Sequence, residues 1–241
     1  MPSTAPSLRD SDMEASSPGP VSPPAARSND WILWQLADSA FPTGGFAHSG
    51  GVEAAWQYGE LRNTRELESW IQAALVQAGR SMLPLMLGAF DRACDFPEIN
   101  ALCDAFLTNH VANRASRLQG QALLASSARI FSQSISTWDA DALCHFAPAF
   151  GRVARALEIE RDQADRMFLF WHLRGWLAGA VRLGLTGPLE AQAMQARLAG
   201  FAEDVLRQSG QTDLGDIAQT APMLDLWQSA QDRLYSRLFQ S

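Results

Sequence analysis

The segment FPTGGFAHSGG, residues 41–51, sets a histidine and a serine side by side between two glycine pairs. Such a pair is the raw material of nucleophilic catalysis, in which a base takes the hydroxyl proton as the oxygen attacks. AHSGG (47–51) also fits a loosened G-x-S-x-G elbow. That elbow needs a strand to carry the serine to a strained turn above a parallel sheet, and no βαβ alternation occurs in this chain. Neighbouring residues on a helix would also point in different directions. Phosphate cradling fails on spacing and on chemistry. All 19 Lys+Arg positions are Arg, so the ammonium of a Walker A loop is missing, as are lysine bases and Schiff-base lysines. Metal chemistry would draw on His48, His110, His145 and His172, yet none stands in H-E-x-x-H or i, i+4 spacing. The three cysteines, Cys94, Cys103 and Cys144, form no C-x-x-C pair.

The remaining reading is structural. Pro42 ends a helix, Gly44 and Gly45 supply a turn, Phe46 drops into the core, and Gly50 and Gly51 admit another backbone. A glycine-lined elbow between amphipathic helices makes a docking surface. For His48 and Ser49 the plain alternative is helix capping and a buried hydrogen bond.

The elements that must hold this elbow are helical. Residues 1–29 read as a disordered tail, with six of the 12 prolines, seven serines and no aromatic residue. From Asp30 onward the hydrophobic period is that of helices. Asp30 is placed to cap WILWQLADSA, and Asn63 with Glu66 resembles a capping box. Leu67, Trp70, Ile71, Ala74, Leu75 and Ala78 follow as a core-facing stripe until Pro84 kinks or ends the helix. A helix is expected from about Glu98 to Phe131, with an interruption at Gly120, and another through Phe146, Phe150 and Leu157. Residues 167–185 are apolar nearly all round and predict the central helix. Pro188 and Gly210 bracket a last long one. The expected fold is a single-domain, all-α bundle of roughly seven to ten helices over 30–241.

Composition excludes several partners. A net charge of −7 disfavours nucleic acid. The run 167–185 approaches membrane-spanning length but carries His172, Arg174 and Arg182, and central arginines cost about 2.5–3.5 kcal/mol each. Separated cysteines and the lack of a signal peptide point to a cytoplasmic home.

Three stretches carry a resemblance. LADSAFPTGGFAHSGGVEA (36–54), NRASRLQGQALL (113–124) and LYSRLFQS (234–241) are similar, in order, to the signature segments of the urease accessory protein F family. Two positions depart from its pattern: Gly50, more usually aromatic, and Gln231–Asp232, where a His-Glu pair often stands. The resemblance implies a non-catalytic, cofactor-free, all-α maturation factor. Such a factor joins the D (or H) accessory protein and holds a G-type GTPase for nickel delivery to apo-urease, with two copies of each around a twofold axis. It also implies a possible influence on GTP hydrolysis.

Joined to the residues, this assigns a partner surface to Phe41, Pro42, Gly44, Gly45, Phe46, His48, Ser49, Gly51 and Glu53. Phe41 and Phe46 would anchor the elbow while His48, Ser49 and Glu53 face a partner or a polar cavity. A second surface lies in 223–241, where Leu234, Tyr235, Leu238 and Phe239 predict a short apolar stripe beside Arg237, suited to helix-in-groove docking. Arg174 and Arg182 either pair internally or face the GTPase, in the manner of an arginine finger. The competing class is a soluble all-α hydrolase or metal-dependent enzyme built on His48–Ser49.

Overall fold

Asn63 opens a helix as its sequence predicts: its side-chain oxygen accepts from the amides of Arg65 and Glu66 at 3.1 and 3.0 Å. Glu66 reaches one residue further back than a capping box requires and accepts from Arg62 N–H at 2.7 Å. The computed structural model describes residues 29–93, 95–135 and 142–241. The predicted tail, 1–29, lies outside them except for Asn29, and so does Cys94.

Among the described residues the chain is all-α, with no strand. In order come α1 (Asp30–Ala37), α2 (Val52–Gln57), α3 (Thr64–Arg80), α4 (Met82–Asp91), α5 (Phe96–Phe106), α6 (His110–Ile130), α7 (Phe146–Ala156), α8 (Arg161–Arg182), α9 (Pro188–Ser209) and α10 (Pro222–Ala230). Short 3-10 turns lie at Gly45–Ala47, Leu214–Asp216 and Gln231–Arg233.

Three expectations about breaks are corrected. The chain turns at Ser81, before Pro84, which sits in the first turn of α4 where it forfeits no hydrogen bond. Ser81 Oγ closes α3 by donating to Gln77 O at 2.6 Å. The segment expected as one helix from Glu98 to Phe131 is two, parted at Leu107–Asn109, where Asn109 caps α6 through the amides of Val111 and Ala112. Gly120 does not interrupt α6. It lies inside that helix because a Cβ there would stand 2.6 Å from the carbonyl oxygen of Cys144, so the missing side chain lets the chain entering α7 press onto α6.

Helix α8 is the hub. It packs against α1, α2, α3, α4, α7, α9 and the elbow turn, and it buries Phe168, Leu169, Trp171, Leu173 and Leu177. Buried residues from Leu36 to Val205 form one contiguous cluster. The described segment long and apolar enough to cross a membrane is Thr64–Asp91, not the run 167–185, and it is mostly buried in the bundle. By contrast, no residue of α10 is fully buried.

Candidate functional site

Helix α1 ends at Ala37, five residues before Pro42, and Asp38 Oδ1 accepts from Ala40 N–H at 2.8 Å to start the elbow. Gly44, Gly50 and Gly51 take left-handed dihedrals, while Gly45 does not. At Gly51 (φ +97°) a Cβ would come within 3.2 Å of Gln228 N, so α10 lies on the elbow's backbone. At Gly50 (φ +63°) a Cβ would meet the Trp176 ring at 2.8 Å. These two glycines seat the elbow between α10 and α8.

The closing segment packs back on the same place. Gln240 N–H donates to Ala47 O at 2.8 Å, and Ser49 N–H to Ser241 O at 2.5 Å. His48 Nδ1 meets Ser241 Oγ at 2.5 Å. Glu53, in the first turn of α2 and buried, clamps the rest. Its carboxylate accepts from Leu238 N–H at 2.6 Å, Phe239 N–H at 3.1 Å and Gln231 Nε2 at 2.6 Å. A carboxylate at a helix start that binds two backbone amides resembles a cap supplied from inside to another segment. Arg182 completes the junction: its guanidinium lies 3.9 Å from the Phe46 ring centroid and 4.2 Å from that of Phe239, and it donates to Phe46 O.

This geometry corrects the expectations of a buried Phe46 and a continuous closing stripe, and takes the inward alternative for Ser49, Glu53, Arg174 and Arg182. Phe41 is buried and stacks on Phe131 with centroids 6.3 Å apart, but Phe46 is 70% exposed and does not enter the core. Ser49 and Glu53 are 1% exposed and turn inward. The closing residues are not helical after Arg233, so the stripe is split: Phe239 goes into the fold while Tyr235 and Leu238 stay outside. Arg237 pairs with Asp232 at 3.0 Å, beside Arg114 at 2.8 Å. Arg182 binds Phe46 and Phe239, and Arg174 donates to Ala37 O, so both guanidinia are engaged internally. Pro42 and Gly44 are exposed and Gly45 is half-buried.

A cavity of about 470 Å³ lies behind the elbow, walled by α3, α8, α10 and the closing segment. Trp70 Nε1, Trp171 Nε1, His172 Nε2 and Asp225 Oδ2 belong to its lining and have no partner among the described residues. Burial pushes His172 down to about 4. Burial, and then Arg114, push His48 to about 4 as well. Both are neutral at pH 7, and no group of three or more His, Cys, Asp or Glu able to hold a metal occurs among the described residues.

No hydrogen bond among the described residues joins His48 to Ser49. Ser49 Oγ accepts from Glu53 N–H at 3.4 Å, two residues ahead of Gly51, the N-cap of α2. A different Ser–His meeting, which sequence reasoning missed, joins α5, α6 and α7. His145 Nδ1 lies 3.1 Å from Ser116 Oγ, and its Nε2 lies 3.2 Å from Asp104 Oδ1. The only signal for it was Ser116 inside NRASRLQG (113–120), since its partners are 29 and 12 residues away in the chain.

The model of the UreF family matches residues 61–199. Urease accessory protein F of Arabidopsis thaliana is 36% identical over 228 residues, covering 90% of this chain and 95% of that protein. The chain belongs to the UreF family. Urease accessory protein F of Oryza sativa subsp. indica is 35% identical over 219 residues (87% of this chain, 84% of the relative). Urease accessory protein UreF of Jannaschia sp. is 28% identical over 211 residues. The family model's residues contain Asp104, Ser116 and His145, whereas the elbow and the closing segment flank them on either side.

Proposed function

We propose that this chain is a urease maturation factor, a scaffold with no catalytic part in maturation, that joins the D/H accessory protein and the G-type GTPase for nickel delivery to apo-urease. Family membership supports the urease role. The observation that carries the scaffold reading is the sealed junction of elbow and closing segment. Its backbone amides and buried carboxylate are consumed internally, and it presents Phe46, Tyr235 and Leu238 to solvent next to α10, whose Met223 and Leu226 are exposed. Apolar side chains held rigidly outward suit a partner protein better than a substrate. The docking residues are therefore the outward ones, Pro42, Gly44, Phe46, Tyr235, Arg237 and Leu238. Phe41, Ser49, Gly51, Glu53, Arg182 and Phe239 act by holding them in place, and His48 by tying down Ser241. The complex forms in the cytoplasm with two copies of this chain, and neither nucleic acid nor a membrane takes part.

The test is co-purification of the Tyr235→Ala/Leu238→Ala double variant with the D/H protein and the GTPase, read beside urease activation. Loss of both, with the helical circular-dichroism signal intact, is expected. Unchanged assembly would remove this surface from the scaffold. No contact among the described residues favours a hydrolase built on His48–Ser49, and a serine-directed probe is expected to leave Ser49 unlabelled.

A further inference from the structure

The hydrogen bonds around His145 define the direction of each proton. Asp104 is held below the usual carboxylate range by the Asn113 side chain first and by His145 as well, so it is an acceptor only. His145 Nε2 therefore carries the hydrogen, and Nδ1 offers a lone pair to the hydroxyl of Ser116 at 3.1 Å. Phe146 N–H donates to the same Oγ at 3.2 Å. It fixes the oxygen and leaves one lone pair free. His145 itself is locked, with a side chain 0% exposed and a backbone amide donating to Asn100 Oδ1 at 2.7 Å. Burial, partly offset by Asp104, lowers its affinity for a proton. The ring is thus a neutral base at pH 7, oriented by a carboxylate on its far side.

Two further features surround Ser116. It lines the 470 Å³ cavity together with Ala112, Ala115, Phe146, Ala147 and Trp171. The amide of Ala147, in the first turn of the 11-residue helix α7, has no acceptor among the described residues and is next to the amide that binds Oγ. It is the free amide of this helix start nearest in the chain to the one on Ser116 Oγ, and a helix start favours negative charge that develops there. Independently, the fully buried His172 Nε2 lacks a partner in the same cavity, with its ring 5.9 Å from and edge-on to that of Phe146. A buried, unpaired ring nitrogen calls for an occupant with a complementary polar atom.

We propose that Ser116 is a nucleophile and that the cavity beside it admits small uncharged carboxylic esters, whose acyl group Ser116 takes up. In the step, Ser116 Oγ bonds to the carbonyl carbon as its proton passes to His145 Nδ1, and Asp104 accepts from Nε2–H of the imidazolium. Collapse of the tetrahedral adduct breaks the carbon–oxygen bond to the leaving alcohol, which takes the proton from Nδ1. The products are a Ser116 ester and a free alcohol, and nothing is oxidised or reduced. The activity is additional to the scaffold role and does not depend on it.

The assay uses the full chain with p-nitrophenyl acetate, reading p-nitrophenolate release and the acetylated residue by peptide mass mapping. The absence of lysine makes the readout clean, because no side-chain amine competes for the acyl group. One acetyl group per chain, at Ser116, is expected. It is lost in Ser116→Ala and retained in Ser49→Ala. Asp104 is partly exposed, so Asp104→Asn folds; it slows acylation at least about tenfold. The rate in the parent chain stays level as pH falls through 6.5 and drops only below, where His145 gains its proton. A purely structural hydroxyl would change stability alone. No adduct on the parent chain, an adduct elsewhere, or an unaltered rate in Asp104→Asn overturns the proposal.

Discussion

Two serine–histidine arrangements in this molecule behave in opposite ways. His48 and Ser49 are covalent neighbours, yet the ring meets Ser241 and the hydroxyl accepts from Glu53 N–H. Ser116 and His145 are 29 residues apart and meet at 3.1 Å with a carboxylate behind. Adjacency along the chain makes side chains diverge, because successive residues leave a helical or turning backbone in different directions. Convergence needs separate helices pressed together. At the α6–α7 junction Gly120 permits that contact, and at the elbow the glycines serve backbone packing instead.

The comparison breaks most visibly if the elbow's clamp is removed. Glu53→Ala leaves the amides of Leu238 and Phe239 without an acceptor and takes one from Gln231 and Gln57, and each lost buried bond costs about 1–3 kcal/mol. A loss of about 3–4 kcal/mol in denaturant unfolding is expected, with rapid hydrogen exchange at Leu238 and Phe239. Stability and exchange close to those of the parent would mean that the closing segment does not depend on Glu53. The second site is tested by Gly120→Ala, whose Cβ would press on the Cys144 and His145 carbonyls. Overpacking of this kind costs about 1–3 kcal/mol, and Ser116 reactivity is expected to fall with it while the elbow contacts persist. Ser116 acetylation at the parental rate would show that the α6–α7 approach is not what aligns the pair.

A third prediction concerns the cavity between the two sites. His172 is neutral in the fold down to about 4, whereas an unfolded histidine protonates near 6.5. Above that pH both states are neutral and the residue adds no pH dependence. As pH falls from about 6.5 toward 4 only the unfolded chain gains the proton, so stability drops by at most about 1.4 kcal/mol per pH unit from this group. His172→Phe fits among Phe146, Phe168 and Trp176 and removes that slope. Thermal melts at pH 5 and 7 should lie closer together in the variant, and an identical gap would refute the assignment. The smallest effect is expected from His48→Ala, a half-buried ring with one side-chain bond to Ser241. About 1 kcal/mol or less at pH 7 is anticipated, with partner assembly retained. Loss of assembly on this change alone would restore His48 to the partner-facing surface.

Much of the helical frame was legible. Asn63, Pro188 and Gly210 marked ends that the structure keeps, because caps and helix-start prolines act on local backbone groups. The break at Leu107–Asn109 was not legible: an asparagine mid-chain reads equally as a helix residue or a cap until the packing of α5 and α6 decides. Phe46 and Phe239 looked alike as apolar anchors. The fold buries Phe239, whose amide the buried Glu53 holds, and leaves Phe46 exposed, although the guanidinium of Arg182, 136 residues from Phe46, lies close to both rings.

Composition and periodicity by themselves determined an all-α chain without lysine chemistry, with a central helix apolar nearly all round and a glycine-rich elbow following the first helix. Helix period and cap chemistry depend on contacts within about four residues, so they survive reading in one dimension. Only the tertiary structure decided that Glu53 would hold residues 238 and 239, and that Asp104, Ser116 and His145 would share one junction. Those meetings are set by how whole helices pack, and side-chain identities constrain that packing collectively rather than pair by pair.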